Sequence, residues 1–165
     1  MIKKYFNLFE NAEIDEIWKY LNSPNWEFWH KSNTNDTNYF WHMNLEDHSF
    51  FTKDLFSKIK NHIGKNFSID RVYANGQTFG LDGSFHTDSL DPNAYTFLYY
   101  PMRQWNVDWN GETIIIDPND SVNYCIPIPN SAVCFPANWI HYGRSPSKKF
   151  VDLRVTIAYK LTKHD

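Results

Sequence analysis

The period of the hydrophobic positions changes partway along the chain, from helical in the first third to alternating in the rest. Within residues 10–22, Ile14, Ile17, Trp18 and Leu21 recur three or four positions apart, which is one face of an α-helix. Asn11 is the expected N-cap. Glu13, Asp15 and Glu16 fall in the first turn, where the helix dipole favours anions, and Ser23-Pro24 stops the element. A second helix is predicted from about Leu45 to Ile63, with Phe50, Phe51, Leu55, Phe56, Ile59 and Ile63 on its apolar face and Gly64 as terminator. Between the two helices, Trp26, Phe28, Trp29, Tyr39, Phe40 and Trp41 surround the polar run 32–38. This stretch reads as two short strands joined by a loop, its aromatics used for packing rather than as a substrate groove.

After Gly64 the pattern becomes that of strands. Runs at 71–75, 95–100, 112–116, 122–128, 132–135 and 153–161 are β-branched or aromatic and are broken by Gly, Pro, Asn and Asp. Helices first, then short strands with no helices between them, predict an α+β chain: an all-β core with N-terminal helices packed against it. The expected organisation is one domain over 1–165, with a helical part at about 1–66 and a β core at about 67–162. A chain of 165 residues leaves no room for a second core. No internal repeat or low-complexity segment interrupts it.

Composition narrows the function classes. Aromatic residues make up 18% of the chain, enough to fill a compact β-rich core or to wall a pocket. The net charge of −3 with scattered Lys and Arg disfavours nucleic acid as a partner, the one basic knot being Arg144, Lys148 and Lys149. Residues 1–10 lack the apolar stretch of a secretory signal, and no run approaches a membrane span. A reducing cytoplasmic location is therefore expected, with Cys125 and Cys134 as free, buried thiols outside any zinc pattern.

The sharpest chemical signal is Phe85-His86-Thr87-Asp88. In an extended segment, positions i and i+2 share a face, so His86 and Asp88 can converge on one point as a neutral imidazole and a carboxylate. A second histidine would complete a 2-His-1-carboxylate face, which suits Fe(II) and leaves coordination positions open. His30, His42, His48 and His62 precede the pair in helical or loop contexts, and His164 lies at the C-terminus. His141 differs, because it follows Phe135-Pro136-Ala137-Asn138-Trp139-Ile140, a strand leading into a turn. Taken singly, His-x-Asp also describes a hydrogen-bonded surface pair, and His141 a partly buried histidine beside Trp139.

From Arg71 to Leu161 the sequence resembles the Fe(II)/2-oxoglutarate-dependent oxygenase superfamily, particularly its prolyl 4-hydroxylase-like branch. The resemblance rests on three pieces in order. The first is Tyr73 leading into His86-Thr87-Asp88. The second is Thr96-Phe97-Leu98-Tyr99-Tyr100, then Trp105, then Asn110-Gly111-Glu112-Thr113. The third is Pro136-Ala137-Asn138-Trp139-Ile140-His141, with Arg154 further along on the last long strand. The resemblance implies a double-stranded β-helix (jelly roll) and iron held by His86, Asp88 and His141. It also implies 2-oxoglutarate as co-substrate, its distal carboxylate on Arg154 and Thr156, with Tyr73 and Tyr99 at positions where relatives offer phenol hydroxyls. Each of these tyrosines is equally readable as a core residue.

The implied reaction is hydroxylation of an unactivated C–H bond with decarboxylation of 2-oxoglutarate to succinate, ascorbate serving as a reductant. The expected substrate is a prolyl residue of a peptide or protein, with small molecules still open. Arg144 is expected at the rim, Trp105, Trp109 or Trp139 as a water-excluding wall, and the segment 79–85 as a loop over the mouth. The sequence departs from the family's double glycine in having Asn110-Gly111. A cupin-like jelly-roll module that binds a metal or ligand without oxygenase activity is the alternative. It needs no cation for 2-oxoglutarate.

Overall fold

The computed structural model describes residues 1–165. Ten strands and two α-helices are present: β1 (Lys3–Phe6), α1 (Asn11–Leu21), β2 (Glu27–His30), β3 (Phe40–Asn44), α2 (Phe56–Ile63), β4 (Phe67–Gln77), β5 (Ala94–Tyr100), β6 (Thr113–Ile116), β7 (Val122–Cys125), β8 (Ser131–Pro136), β9 (Ile140–Gly143) and β10 (Arg154–Lys163). They form a seven-stranded antiparallel sheet in the order β1-β8-β5-β10-β4-β3-β2 and a three-stranded antiparallel sheet in the order β7-β6-β9.

The first helix has the predicted extent, but its N-cap is Glu10 rather than Asn11. The Glu10 and Glu13 side chains each accept from the other residue's main-chain N–H in a reciprocal capping box. The second helical region is a π-helical segment, Phe50–Leu55, running into α2, while Leu45 lies before it in a turn. The N-terminal part is less helical than expected. β1 crosses to pair with β8, and β2 and β3 extend the large sheet beyond β4. A strand with a partner more than a hundred residues away leaves no local mark in the sequence.

The large sheet buries one face under the helices. Val72 and Ala74 of β4, Phe97 and Tyr99 of β5, and Val155, Ile157, Tyr159 and Leu161 of β10 join Ile17, Leu21, Phe51, Leu55 and Ile59 in the main core. Each fully buried aliphatic side chain contributes about 1.5–3 kcal/mol relative to exposure, so this interface dominates stability. A second, smaller core of Leu98, Tyr100, Ile115, Cys125, Val133, Phe135 and Ala158 joins the large sheet to the small one. Both cysteines are free and buried. No helix is long and apolar enough to cross a membrane.

Candidate metal centre and anion cavity

Strand alternation makes the other face of the large sheet polar. On β10, Arg154, Thr156, Ala158 and Lys160 all point into one cavity of about 230 Å³, and from β4 Arg71, Tyr73, Asn75 and Gln77 point into it as well. Phe135 of β8 and Thr113, His141 and Gly143 of the small sheet also line it. Side chains that meet here therefore come from strands distant in sequence, held by register.

His86 stands outside the named strands, in an isolated bridge to His141 of β9. The His86 main-chain N–H donates to the His141 carbonyl at 3.0 Å, and the His141 N–H returns a bond to the His86 carbonyl at 2.9 Å. Two residues on, the Asp88 N–H donates to the Ala137 carbonyl at 2.8 Å, clamping the far end of the His-x-Asp segment. His86 Nε2 lies 3.4 Å from Asp88 Oδ1, and His141 Nε2 lies 3.2 Å from Asp88 Oδ2. One ligand atom from each residue falls within 4.8 Å of the other two.

The donor set suits a divalent metal on its own chemistry. His86 Nδ1 sits 2.8 Å from the Ser84 carbonyl and His141 Nδ1 sits 2.9 Å from the Trp139 carbonyl. A carbonyl can only accept, so each Nδ1 carries the proton and each Nε2 presents a lone pair toward Asp88. Burial works against ionisation of Asp88, but the Lys160 ammonium paired with it outweighs this and holds the carboxyl far below the ordinary carboxylate range. Burial also lowers the His141 pKa, only partly offset by Asp88, which favours the neutral, ligating imidazole. Two neutral imidazoles and one ionised carboxylate fit Fe(II).

Arg154, 1% exposed, lies deeper in the cavity. Its Nε donates to the Gly111 carbonyl at 2.7 Å, and one terminal nitrogen donates to Gln77 Oε1 at 2.6 Å. The other terminal nitrogen is 3.4 Å from Thr113 Oγ1. Gln77 is itself fixed, its amide nitrogen donating to the Leu81 and Gly143 carbonyls. Burial lowers the guanidinium pKa to about 10, so the charge persists at neutral pH without a carboxylate partner. Its hydrogen-bond acceptors are all neutral and the Glu112 carboxylate acts on it only from a distance, which leaves a seat for an anion. Thr156, two positions along β10, points into the same space.

The Asn110-Gly111 departure has a structural role. Both residues have positive φ, 57° and 79°; Gly111 adopts this freely, whereas Asn110, with ψ −135°, lies outside the left-handed helical region that Asn tolerates. A Cβ on Gly111 would lie 2.8 Å from Trp105 Cζ2 and 3.1 Å from Arg154 Cδ, so Trp105 backs the turn that fixes Arg154.

Other expectations resolve differently. Tyr73 lines the cavity. Tyr99 lies on the helix side of β5, with its hydroxyl 3.3 Å from Asn130 Oδ1 and its ring edge-on to Phe9. Its neighbours Thr96 and Leu98 take the cavity side instead, because successive residues of a strand alternate. The tryptophan wall is absent. Trp105 and Trp109 pack on Phe150, and Trp139 packs against the smaller core, leaving Phe40, Leu98, Phe135 and Ala158 as apolar lining. Arg144 pairs with Glu112 and does not line the cavity. The 79–85 segment does reach it through Gly83, whose N–H donates to the Gly143 carbonyl at 2.9 Å.

Lys160 and Thr96 belong to the site although the sequence motifs assign neither a role there. Lys160, 8% exposed, forms an ion pair with Asp88, and Thr96 donates its hydroxyl to the same carboxylate oxygen. The signal for Lys160 was available, since it continues the alternation from Arg154 through Thr156 and Ala158.

No protein-family model matches the sequence, and no curated protein does. Solved structures do resemble the fold. An oxidoreductase of the 2OG-Fe(II) oxygenase family from Burkholderia pseudomallei aligns with TM-score 0.76 at 13% identity, covering 99% of this chain and 86% of that one. A prolyl hydroxylase from Trichoplax adhaerens, in complex with a hypoxia inducible factor peptide fragment, aligns with TM-score 0.72 at 15% identity, covering 98% and 83%. The non-heme alpha ketoglutarate dependent epimerase SnoN of nogalamycin biosynthesis aligns with TM-score 0.73 at 8% identity, covering 98% and 76%. The chain therefore has the fold found in 2OG-Fe(II) oxygenases, including prolyl hydroxylases.

Proposed function

We propose that this protein is an Fe(II)- and 2-oxoglutarate-dependent dioxygenase that hydroxylates an unactivated C–H bond. Its two sheets are read as the halves of a double-stranded β-helix within a single domain over 1–165. One observation carries the reading. A His86/Asp88/His141 ligand set and a buried, carboxylate-free Arg154 line the same cavity. 2-Oxoglutarate needs both, a metal for its 2-oxo acid end and a cation for its distal carboxylate. The fold shared with 2OG-Fe(II) oxygenases supports the same conclusion. A jelly-roll module that only bound a metal would leave Arg154 buried without a purpose.

When bound, iron and 2-oxoglutarate supply the oxidising chemistry, with decarboxylation to succinate and ascorbate as an auxiliary reductant. The protein's part is positioning. The Ser84 and Trp139 carbonyls fix the tautomers of His86 and His141, and the main-chain bridge between those residues fixes their separation. Arg154, aimed by Gln77 and Gly111, holds the distal carboxylate, with the Thr156 hydroxyl beside it. Tyr73 is a further polar contact in the cavity. Phe135 and Leu98 limit water at the apolar wall.

A prolyl residue of a peptide or protein is the first substrate class to test. It is supported by the likeness to the Trichoplax adhaerens prolyl hydroxylase and to the viral collagen prolyl hydroxylase from Paramecium Bursaria Chlorella virus-1. The epimerase neighbour, on the same fold, keeps small molecules in view. The test of the reaction class is succinate release from 2-oxoglutarate in the presence of Fe(II) and oxygen. Turnover that vanishes in Asp88→Ala supports the proposal; undiminished turnover in that variant removes the triad assignment.

A further inference from the structure

Four cationic residues, Lys31, Arg71, Arg154 and Lys160, line the cavity, and Asp88 is the single acidic residue among its lining. Under the proposed function, Asp88 is committed to the metal and Arg154 to the distal carboxylate of 2-oxoglutarate. The metal brings two positive charges and the co-substrate two negative ones, so their arrival leaves the positive excess in place. Lys31 and Arg71 then remain as cations without an anion of their own, and Lys160 shares the Asp88 carboxylate with the metal.

The geometry narrows this excess to one place. Arg71 of β4 and Lys160 of β10 are directly opposite one another in the antiparallel ladder. Like charges directly opposite across a strand pair repel and destabilise it. Both nevertheless turn to the cavity side and converge on one ring: Lys160 Nζ is 5.7 Å from the Tyr73 centroid, and the Arg71 guanidinium carbon is 5.8 Å from it. Arg71 has no ion-pair partner, and Lys160 pairs with the Asp88 carboxylate and donates to Thr96 Oγ1 at 3.3 Å. His30, exposed at the end of β2, also lines this end of the cavity and adds an imidazole that can hydrogen-bond there.

We infer that Arg71 and Lys160, against the Tyr73 ring, form a second anion seat, and that the substrate is a small molecule bearing its own carboxylate. The inference rests on the proposed dioxygenase reaction and, among its substrate classes, favours a small carboxylic acid over a prolyl peptide. The cavity volume supports a small substrate: about 230 Å³ is below the roughly 300–1,000 Å³ usual for ligand pockets, and it must also hold 2-oxoglutarate. Arg71 is exposed at the outer edge and reaches an entering carboxylate first, while Lys160 is buried beside the metal ligand. The carboxylate would thus be anchored close to the metal, leaving the adjacent carbon chain to present its C–H bond.

The test uses full-length protein loaded with Fe(II) and saturating 2-oxoglutarate under nitrogen, so that no turnover occurs. Calorimetric titration compares small carboxylic acids with their own primary amides, N-acetyl-L-proline against N-acetyl-L-prolinamide among them, and with a neutral, end-capped proline-containing pentapeptide. In at least one pair the acid should bind about tenfold or more tighter than its amide, and Arg71→Gln should bring that pair to within about twofold. The same variant should bind 2-oxoglutarate as the unmodified protein does. No preference in any pair, a preference that survives Arg71→Gln, or a neutral peptide that outcompetes every acid overturns the inference. Failure of 2-oxoglutarate to bind the unmodified protein overturns the dioxygenase reading as well, so the two failures are distinguished at the first titration.

Discussion

His86 and His141 are joined by a reciprocal pair of main-chain hydrogen bonds, 3.0 and 2.9 Å, which sets their imidazole centroids 4.4 Å apart. The two rings are oriented by backbone carbonyls, so the site is preorganised by β9 and not by side-chain packing alone. His141→Ala should therefore remove a ligand without breaking the bridge, which is made by main-chain atoms. Fe(II) affinity should fall by about 100-fold or more while the far-ultraviolet circular dichroism stays unchanged; second-sphere losses alone cost about 10–100-fold. Equilibrium metal binding with a chromophoric chelator measures this.

Arg154→Met should separate co-substrate from metal. Loss of a bidentate, buried cation is expected to weaken 2-oxoglutarate binding by about 100-fold, roughly 3 kcal/mol, with Fe(II) affinity altered by less than about threefold. Its thermal stability should fall by about 1–3 kcal/mol, because the buried Gly111 carbonyl and Gln77 Oε1 lose their charged donor. Titration of 2-oxoglutarate against metal-loaded protein, with a melting curve beside it, checks both.

Gly111→Ala should destabilise the protein by about 1–3 kcal/mol, since it combines a positive φ with a Cβ driven into Trp105. For a chain of this size that is about 2–4 °C of Tm per kcal/mol. The substitution also presses on Arg154, so 2-oxoglutarate affinity should fall with it, as differential scanning calorimetry and co-substrate titration on one sample would register.

Tyr99→Phe should cost about 1 kcal/mol of stability through its hydroxyl and leave 2-oxoglutarate affinity unchanged. A co-substrate defect in this variant would return Tyr99 to the cavity side of β5.

Acidification should destabilise the fold through His42, half-buried on β3, whose pKa burial holds below the ordinary 6.5. As pH falls through 6.5 the unfolded chain binds the proton before the folded chain does, so the contribution is complete above pH 6.5 and is lost below it. Tm should drop between pH 7.5 and 5, and His42→Phe should flatten that slope.

The parts of the site legible in the sequence were those carried by short spacings. His86 and Asp88 are two apart, as are Arg154 and Thr156, and period-2 geometry puts each pair on one face. What escaped was whatever depended on facing or on distant partners. The Tyr95–Tyr100 run is aromatic and apolar on both sides, so nothing in it distinguished Tyr99, on the helix side, from Thr96 and Leu98, in the cavity. β9 is four residues long and gives a weak strand signal, although it carries His141. β1 pairs with β8 across most of the chain, a contact that no local pattern announces. Lys160 shares the face of Arg154 and Thr156 by the same alternation, but its partner Asp88 lies on a different segment, so its role has no local signature.

The most direct test is the visible absorption of the anaerobic protein with Fe(II) and 2-oxoglutarate. The account predicts a metal-to-ligand charge-transfer band that requires both components and disappears in Asp88→Ala and His141→Ala. If Fe(II) and 2-oxoglutarate give no band, or if the band persists in both variants, then the His86/Asp88/His141 centre is not where they meet.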